Sequence, residues 1–195
     1  MATTFDEILL RGVRGGQIPA RTQQARDWFR NQAKTTRVQP ETVVRQERAR
    51  YKNRVSIGKM YLFNYDPKHK KTLPYFDRYP LIFPVERAGD GFYGINLHYL
   101  PYVLRAKLMD ALYQLSSDDK YDEKTRLKIG YNILKGASRY KAFSPTYKRY
   151  LTNHVRSRFI EISSSEWDIA LFLPLEKFEK ASKREVWADS RRMAK

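Results

Sequence analysis

From Lys59 to Tyr65 the chain alternates, so that Tyr61, Phe63 and Tyr65 fall on one face. A period of two belongs to a strand and not to a helix, which commits the centre of the chain to β structure with an aromatic side. Tyr79 to Val85 reads as a second strand. Pro80 and Pro84 within it predict an edge or bulged position, because proline cannot donate to a ladder. After the turn at Ala88-Gly89-Asp90-Gly91, Phe92 to Leu97 gives a third strand. The expected fold class is therefore α+β, with a small antiparallel β-sheet or SH3-like barrel carrying a helical layer.

That layer begins after Leu100-Pro101, where Leu104, Leu108, Ala111, Leu112 and Leu115 recur at helical spacing. A second helix is expected from Glu123 to Lys135, with Gly136 as its stop. The carboxylates Asp118, Asp119, Asp122 and Glu123 suit the positive end of its dipole and are read as capping. A third helix is expected from Pro145 to Arg158, bringing Tyr147, Leu151, His154 and Val155 together, followed by a strand from Arg158 to Ile162. Ser163 and Glu166 have the spacing of a capping box, which predicts a short helix to Leu171. Leu175 to Lys183 reads as a terminal helix, and the remainder as a tail docked through Trp187.

Charge divides the chain. The formal net charge of +17 is distributed as +7 over residues 1–57, +2 over 58–101, +8 over 102–159 and 0 over 160–195. Such a surplus repels itself in a compact protein unless a polyanion or an acidic surface compensates it. Residues 1–57 hold few large apolar side chains after Phe5, Ile8, Leu9 and Leu10, and Gly12, Gly15, Gly16 and Pro19 punctuate them. They read as an extended basic N-terminal arm, with short helices near Thr22 to Ala33 and from Pro40, that orders on a partner. The domain plan is then an arm over 1–57 and one α+β domain over 58–195: β-rich to 100, mostly helical over 101–188, and a short tail.

The candidate partner- or nucleic-acid-binding residues follow from this distribution. In the arm they are Arg11, Arg14, Arg21, Arg26, Arg30, Arg45, Arg48, Arg50 and Arg54; in the domain they are Lys68, Lys70, Lys71, Lys148, Arg149, Arg156 and Arg158. Arginine forks suit phosphate and carboxylate alike, so nucleic acid and acidic protein both remain open. The turn Lys68-His69-Lys70-Lys71 lies beside Tyr75, Phe76 and Tyr79, an aromatic-plus-cation pattern like that of single-strand binders.

Catalysis finds little support. Cysteine is absent, which removes disulfides, thiolate ligands and thiol nucleophiles and suits a reducing compartment. Neither a P-loop nor a dinucleotide fingerprint occurs. His69, His98 and His154 have no metal-ligand spacing, and His98 is expected to be a hydrogen-bonded structural residue. No enzyme activity, cofactor or metal is expected, with a nuclease as the least implausible exception. No run approaches the roughly 18 apolar residues of a membrane span, nor is the N-terminal sequence a secretory signal.

The strings Gly58-Lys59-Met60-Tyr61, Leu73-Pro74-Tyr75-Phe76-Asp77-Arg78-Tyr79-Pro80-Leu81 and Gly94-Ile95-Asn96-Leu97-His98-Tyr99-Leu100-Pro101 resemble basic proteins encoded by large contractile-tailed bacteriophages. His154-Val155-Arg156-Ser157-Arg158-Phe159 and Glu166-Trp167-Asp168-Ile169-Ala170 continue the resemblance, which spans roughly residues 56–190. It implies a phage setting: synthesis in the host cytoplasm and a place in the virion. The expected role is a minor structural or assembly protein of the tail, baseplate or neck, within a symmetric assembly and docked to acidic virion proteins. The alternative is a phage DNA-binding protein acting on genome ends or at replication.

Overall fold

The computed structural model describes residues 4–16, 23–116, 120–137, 141 and 143–194. Its helices are α1 (Thr4–Arg14), α2 (Gln23–Thr35), α3 (Pro40–Gln46), α4 (Tyr102–Ser116), α5 (Glu123–Ala137), α6 (Trp167–Phe172) and α7 (Lys183–Met193). The strands are β1 (Tyr51–Lys52), β2 (Met60–Leu62), β3 (Phe76–Asp77), β4 (Leu81–Ala88), β5 (Gly91–Asn96), β6 (Tyr147–Leu151), β7 (Phe159–Ile162) and β8 (Phe178–Glu179). Six of them form an antiparallel sheet in the order β1-β7-β2-β4-β5-β6, while β3 and β8 pair separately.

The period of two sorts the sheet's side chains into two cores. Met60, Leu62, Leu81, Phe83, Ile95, Ile160 and Ile162 face the helices and pack with Phe5, Ile8, Phe29, Met109 and Leu171. Their neighbours Tyr61, Phe63, Tyr65, Ile82, Phe92, Tyr150 and Phe159 form a smaller aromatic core on the other face. Phe63 is its hub, with ring centroids 5.0 Å from Phe159 and 5.5 Å from Tyr150 in edge-on geometry. The mixed α+β class is as expected, but the sheet does not close into a barrel: β1 and β6 remain its two edges.

Four further expectations are corrected. Residues 4–16 and 23–57 are not an extended arm, because α1 to α3 deliver their few apolar residues to the main core and β1 pairs with β7. Ala25, Phe29 and Ala33 recur every four residues along α2, and all three are buried. Residues 145–158 are not a helix: a 3-10 turn leads into β6, which lies along β5 with Tyr150 opposite Phe92. The Leu175–Lys183 stretch holds β8 instead of a helix, and the supposed tail is α7, begun by a capping box at Ser182 and Glu185. The Tyr79–Val85 strand is bulged between Pro84 and Glu86 as its prolines suggest, yet β4 is central, between β2 and β5.

Docking through Trp187 does occur, its indole N–H donating to the His98 carbonyl at 2.8 Å. The capping box of Ser163 and Glu166 is also formed, opening the turn that leads into α6.

One close approach fixes β6. A Cβ built on Gly91 would lie 1.9 Å from the Tyr150 carbonyl oxygen, so the backbones of β5 and β6 meet at a distance that only glycine permits. Gly91→Ala is expected to cost about 2 kcal/mol in urea unfolding, in the range of other overpacking changes, and to raise amide exchange selectively along β6. A loss below about 0.5 kcal/mol would show that the strands separate freely.

Candidate nucleic-acid interface

The segment after β2 and the segment before β7 are tied together. Tyr65 bridges Val155, the Asp66 N–H donates to the His154 carbonyl at 3.0 Å, and the Arg156 N–H donates to the Asn64 carbonyl at 2.8 Å. This pairing sets the basic turn at 68–71 beside Arg156 and Arg158. The pairing of β5 with β6 carries Lys148 and Arg149 to the same side.

Three clefts result, and they share walls. The first, about 370 Å³, lies between the 67–73 turn and β6 and is lined by Lys68, His69, Tyr75, Phe76, Lys148 and Arg149 among others. Tyr65 and Phe76 also line the second cleft, with Lys70, Arg78 and Arg156. Asn64 and Arg156 continue into the third, where Arg45 and Arg158 stand. The lining residues form one track with eight lysine and arginine side chains against four carboxylates: Glu41, Asp66, Asp77 and Glu179.

Two of those carboxylates, Asp66 and Glu179, pair with cations of the track, while Glu41 pairs with Lys177. Asp66 accepts from Lys70 at 2.9 Å and lies 3.5 Å from Arg156, and the Lys70 hydrogen bond pulls its carboxyl below the usual range. Arg78 sits 3.3 Å from Glu179. Asp77 points inward, bonded to His98 Nδ1 at 2.7 Å and accepting from Asn96 at 3.0 Å; Asn96 also donates to the Tyr150 hydroxyl at 3.1 Å. The fully buried His98 is thus the structural residue expected, part of a polar layer under the first cleft. Lys180 donates to the carbonyls of Lys71 and Leu73, both at 2.9 Å, from a backbone at φ 71°, and so pins the basic turn from behind.

Seven of the candidate residues converge here: Arg45, Lys68, Lys70, Lys148, Arg149, Arg156 and Arg158. The others are placed differently. Arg26 and Arg30 are engaged with Asp110 and Asp168 between α2, α4 and α6, and Arg30 also lies over the Phe172 ring. Arg50 pairs with Glu47 and Glu166. These three hold the protein's own helices together and leave no fork for a ligand. Arg11 and Arg14 are exposed on the last turn of α1, Arg48 and Arg54 are exposed around the edge strand β1, and Lys71 is exposed on the turn. Arg21 lies outside the described residues, as do Asp118 and Asp119; Asp122 accepts from the Thr125 N–H at 2.7 Å, the capping role expected of it.

Charge counting missed Arg78, whose place on the track depends on the pairing of β3 with β8. Of the three aromatic residues expected as a stacking surface, Tyr75 and Phe76 line the first cleft, whereas Tyr79 packs into the main core and borders the third cleft. Among the described residues no group of three or more His, Asp or Glu could hold a metal ion, and no helix is long and apolar enough to cross a membrane.

A family model described as the phage T4 terminal DNA protecting protein matches residues 5–192. No curated protein and no solved structure matches the chain. The match begins within α1 and so takes in the segment expected to be an arm. It upholds the phage setting and overturns the expected role as a structural or assembly protein of tail, baseplate or neck, since the family is described by DNA termini and not by a particle part.

Proposed function

We propose, because the chain belongs to the family of the phage T4 terminal DNA protecting protein, that it binds the ends of phage DNA along the basic track and shields them by occupying them, without cleaving. The alternative reading of the sequence, a DNA-binding protein acting on genome ends, thereby replaces the structural one. The carrying observation is the convergence of Arg45, Lys70, Arg78, Arg156 and Arg158 on one continuous surface from distant parts of the chain. Each phosphate seated there releases condensed counterions, and the self-repulsion of a +17 chain falls as it is neutralised. A protein bound this way enters the particle with the genome end, which is the sense in which a virion location is proposed.

The test compares a linear duplex with a closed circle of the same sequence. The linear form is expected to bind more tightly, to resist an added exonuclease, and to show log affinity falling with log salt by about 0.9 for each phosphate contacted. Arg156→Ala and Arg158→Ala are each expected to reduce that slope by about one. Equal affinity for the circle, a flat salt response, or breakdown of the DNA by the protein alone would sink the proposal.

A further inference from the structure

The first cleft is the most aromatic part of the basic track: Tyr65, Tyr75, Phe76, Tyr99 and Tyr150 line it, against two aromatic rings in each of the other clefts. Tyr75 and Phe76 are half-buried, with the buried Tyr99 and Tyr150 beside them. Its volume of about 370 Å³ is at the small end of ligand pockets, which run from about 300 to 1,000 Å³, and matches the size of one nucleotide.

Lys148 is the second peculiarity. Its ammonium nitrogen lies 4.3 Å from the centroid of the Tyr99 ring, and no carboxylate pairs with it among the described residues. Neighbouring Arg149, by contrast, sits 2.7 Å from Asp90. Burial pushes the Lys148 ammonium below the usual lysine range, the mark of a cation that has given up water without gaining an anion. On the opposite wall Lys68 and His69 are exposed, on the turn that Lys180 fixes from behind. The cleft is thus prebuilt, with π-faces and a desolvated cation that an anion would complete.

We infer that this cleft takes a single unpaired nucleotide from the end of a DNA strand, its base against Tyr75 and Phe76 and its phosphate on Lys148. The inference rests on the DNA-end reading and supplies a physical means of telling an end from the interior. A base within a duplex must leave two stacked neighbours and its partner to enter; a terminal base leaves one neighbour, and an overhanging base has no partner to lose. Base–aromatic stacking is indifferent to sequence, as protection of any end requires.

The experiment uses the full chain and three DNAs of one sequence: a closed circle, a blunt duplex, and a duplex with a one-nucleotide overhang carrying 2-aminopurine. The overhang is expected to bind about tenfold more tightly than the blunt end, the order of one stacked base, and its fluorescence is expected to be quenched on binding. Tyr75→Leu keeps bulk but removes the π-face, and should abolish both the preference and the quenching. Lys148→Gln should lower the salt slope by about one for the overhang and not for the circle. Arg158→Ala, in the third cleft, should weaken all three DNAs yet leave the quenching at saturation intact, with unfolding temperatures confirming that each variant is folded. Ends preferred over the circle but no quenching, or quenching that survives Tyr75→Leu, overturns the inference and leaves the end-binding reading standing. No preference for ends overturns both.

Discussion

Arg105→Ala is expected to cost the fold about 3–5 kcal/mol, the scale on which breaking one side of a buried ion pair acts. Arg105 is fully buried. Its Nε–H donates to the Leu100 carbonyl at 2.7 Å, Nη1 to Leu171 at 3.1 Å and Nη2 to His98 at 3.2 Å. Glu176 Oε2 lies 3.6 Å from Nη1, and the rings of Tyr102 and Trp187 flank the guanidinium at 4.6 and 5.6 Å. One side chain thus joins α4, the end of α6, the turn after β5 and the segment before β8. Removing it orphans three carbonyls and leaves the Glu176 carboxylate buried without its guanidinium, though Tyr102 at 2.8 Å and Lys183 at 3.1 Å still donate to it. Thermal unfolding should drop by about 10 °C or more. Arg105→Lys should rescue little, because an ammonium cannot reproduce a fork that serves three carbonyls. Arg105→Met combined with Glu176→Leu should recover much of the loss, since the uncompensated charge is gone. A single Arg105→Ala variant within 1 kcal/mol of the parent would refute this view of the centre.

No reading of α4 as a helix with one apolar stripe finds that arginine. Leu108, Met109 and Leu112 do face inward, but Ala111 is exposed, and the inward face runs through Arg105, whose partner carboxylate belongs to a distant segment. Local pattern sufficed where local forces decide: the alternation at Tyr61, Phe63 and Tyr65, and the capping box at Ser163. It failed where a few residues are claimed by a remote strand. Tyr147, Leu151 and Val155 have helical spacing, yet β5 offers Tyr147 to Leu151 a ladder, and a five-residue stretch has too little helix to resist it. Phe178 and Glu179 are taken by β3 in the same way. Sparse apolar residues near the N-terminus suggested an arm; Phe5, Ile8, Phe29 and Val43 are few, but every one of them is buried. The candidate interface was legible as charge and not as place. Lys70, Lys148, Arg156 and Arg158 stand out in the sequence, but their convergence is made by strand pairing and by the Tyr65–Val155 bridge.

The same buried pair should make the protein sensitive to acid in a narrow window. Burial alone would raise the Glu176 carboxyl, but Arg105, aided by His98, a backbone hydrogen bond and Lys183, outweighs it and holds the group at about 2, against 4.5 when free. Between those values the unfolded chain binds the proton and the folded protein does not, so stability falls as pH falls. The contribution is whole above about pH 4.5, is lost progressively towards pH 2, and amounts to about 3 kcal/mol. Asp168 works against this: desolvation raises its carboxyl despite Arg30 and Arg26, so it takes up a proton early and offsets part of the loss. Glu176 should still dominate, because its side chain is 1% exposed and its cation is fully buried beside it. Urea midpoints measured from pH 6 to pH 2.5 should decline steeply below 4.5 for the parent and stay much flatter for Glu176→Gln, which starts lower but has no proton to gain. Parallel decline of the two would assign the acid sensitivity to other carboxylates and remove Glu176 from the account.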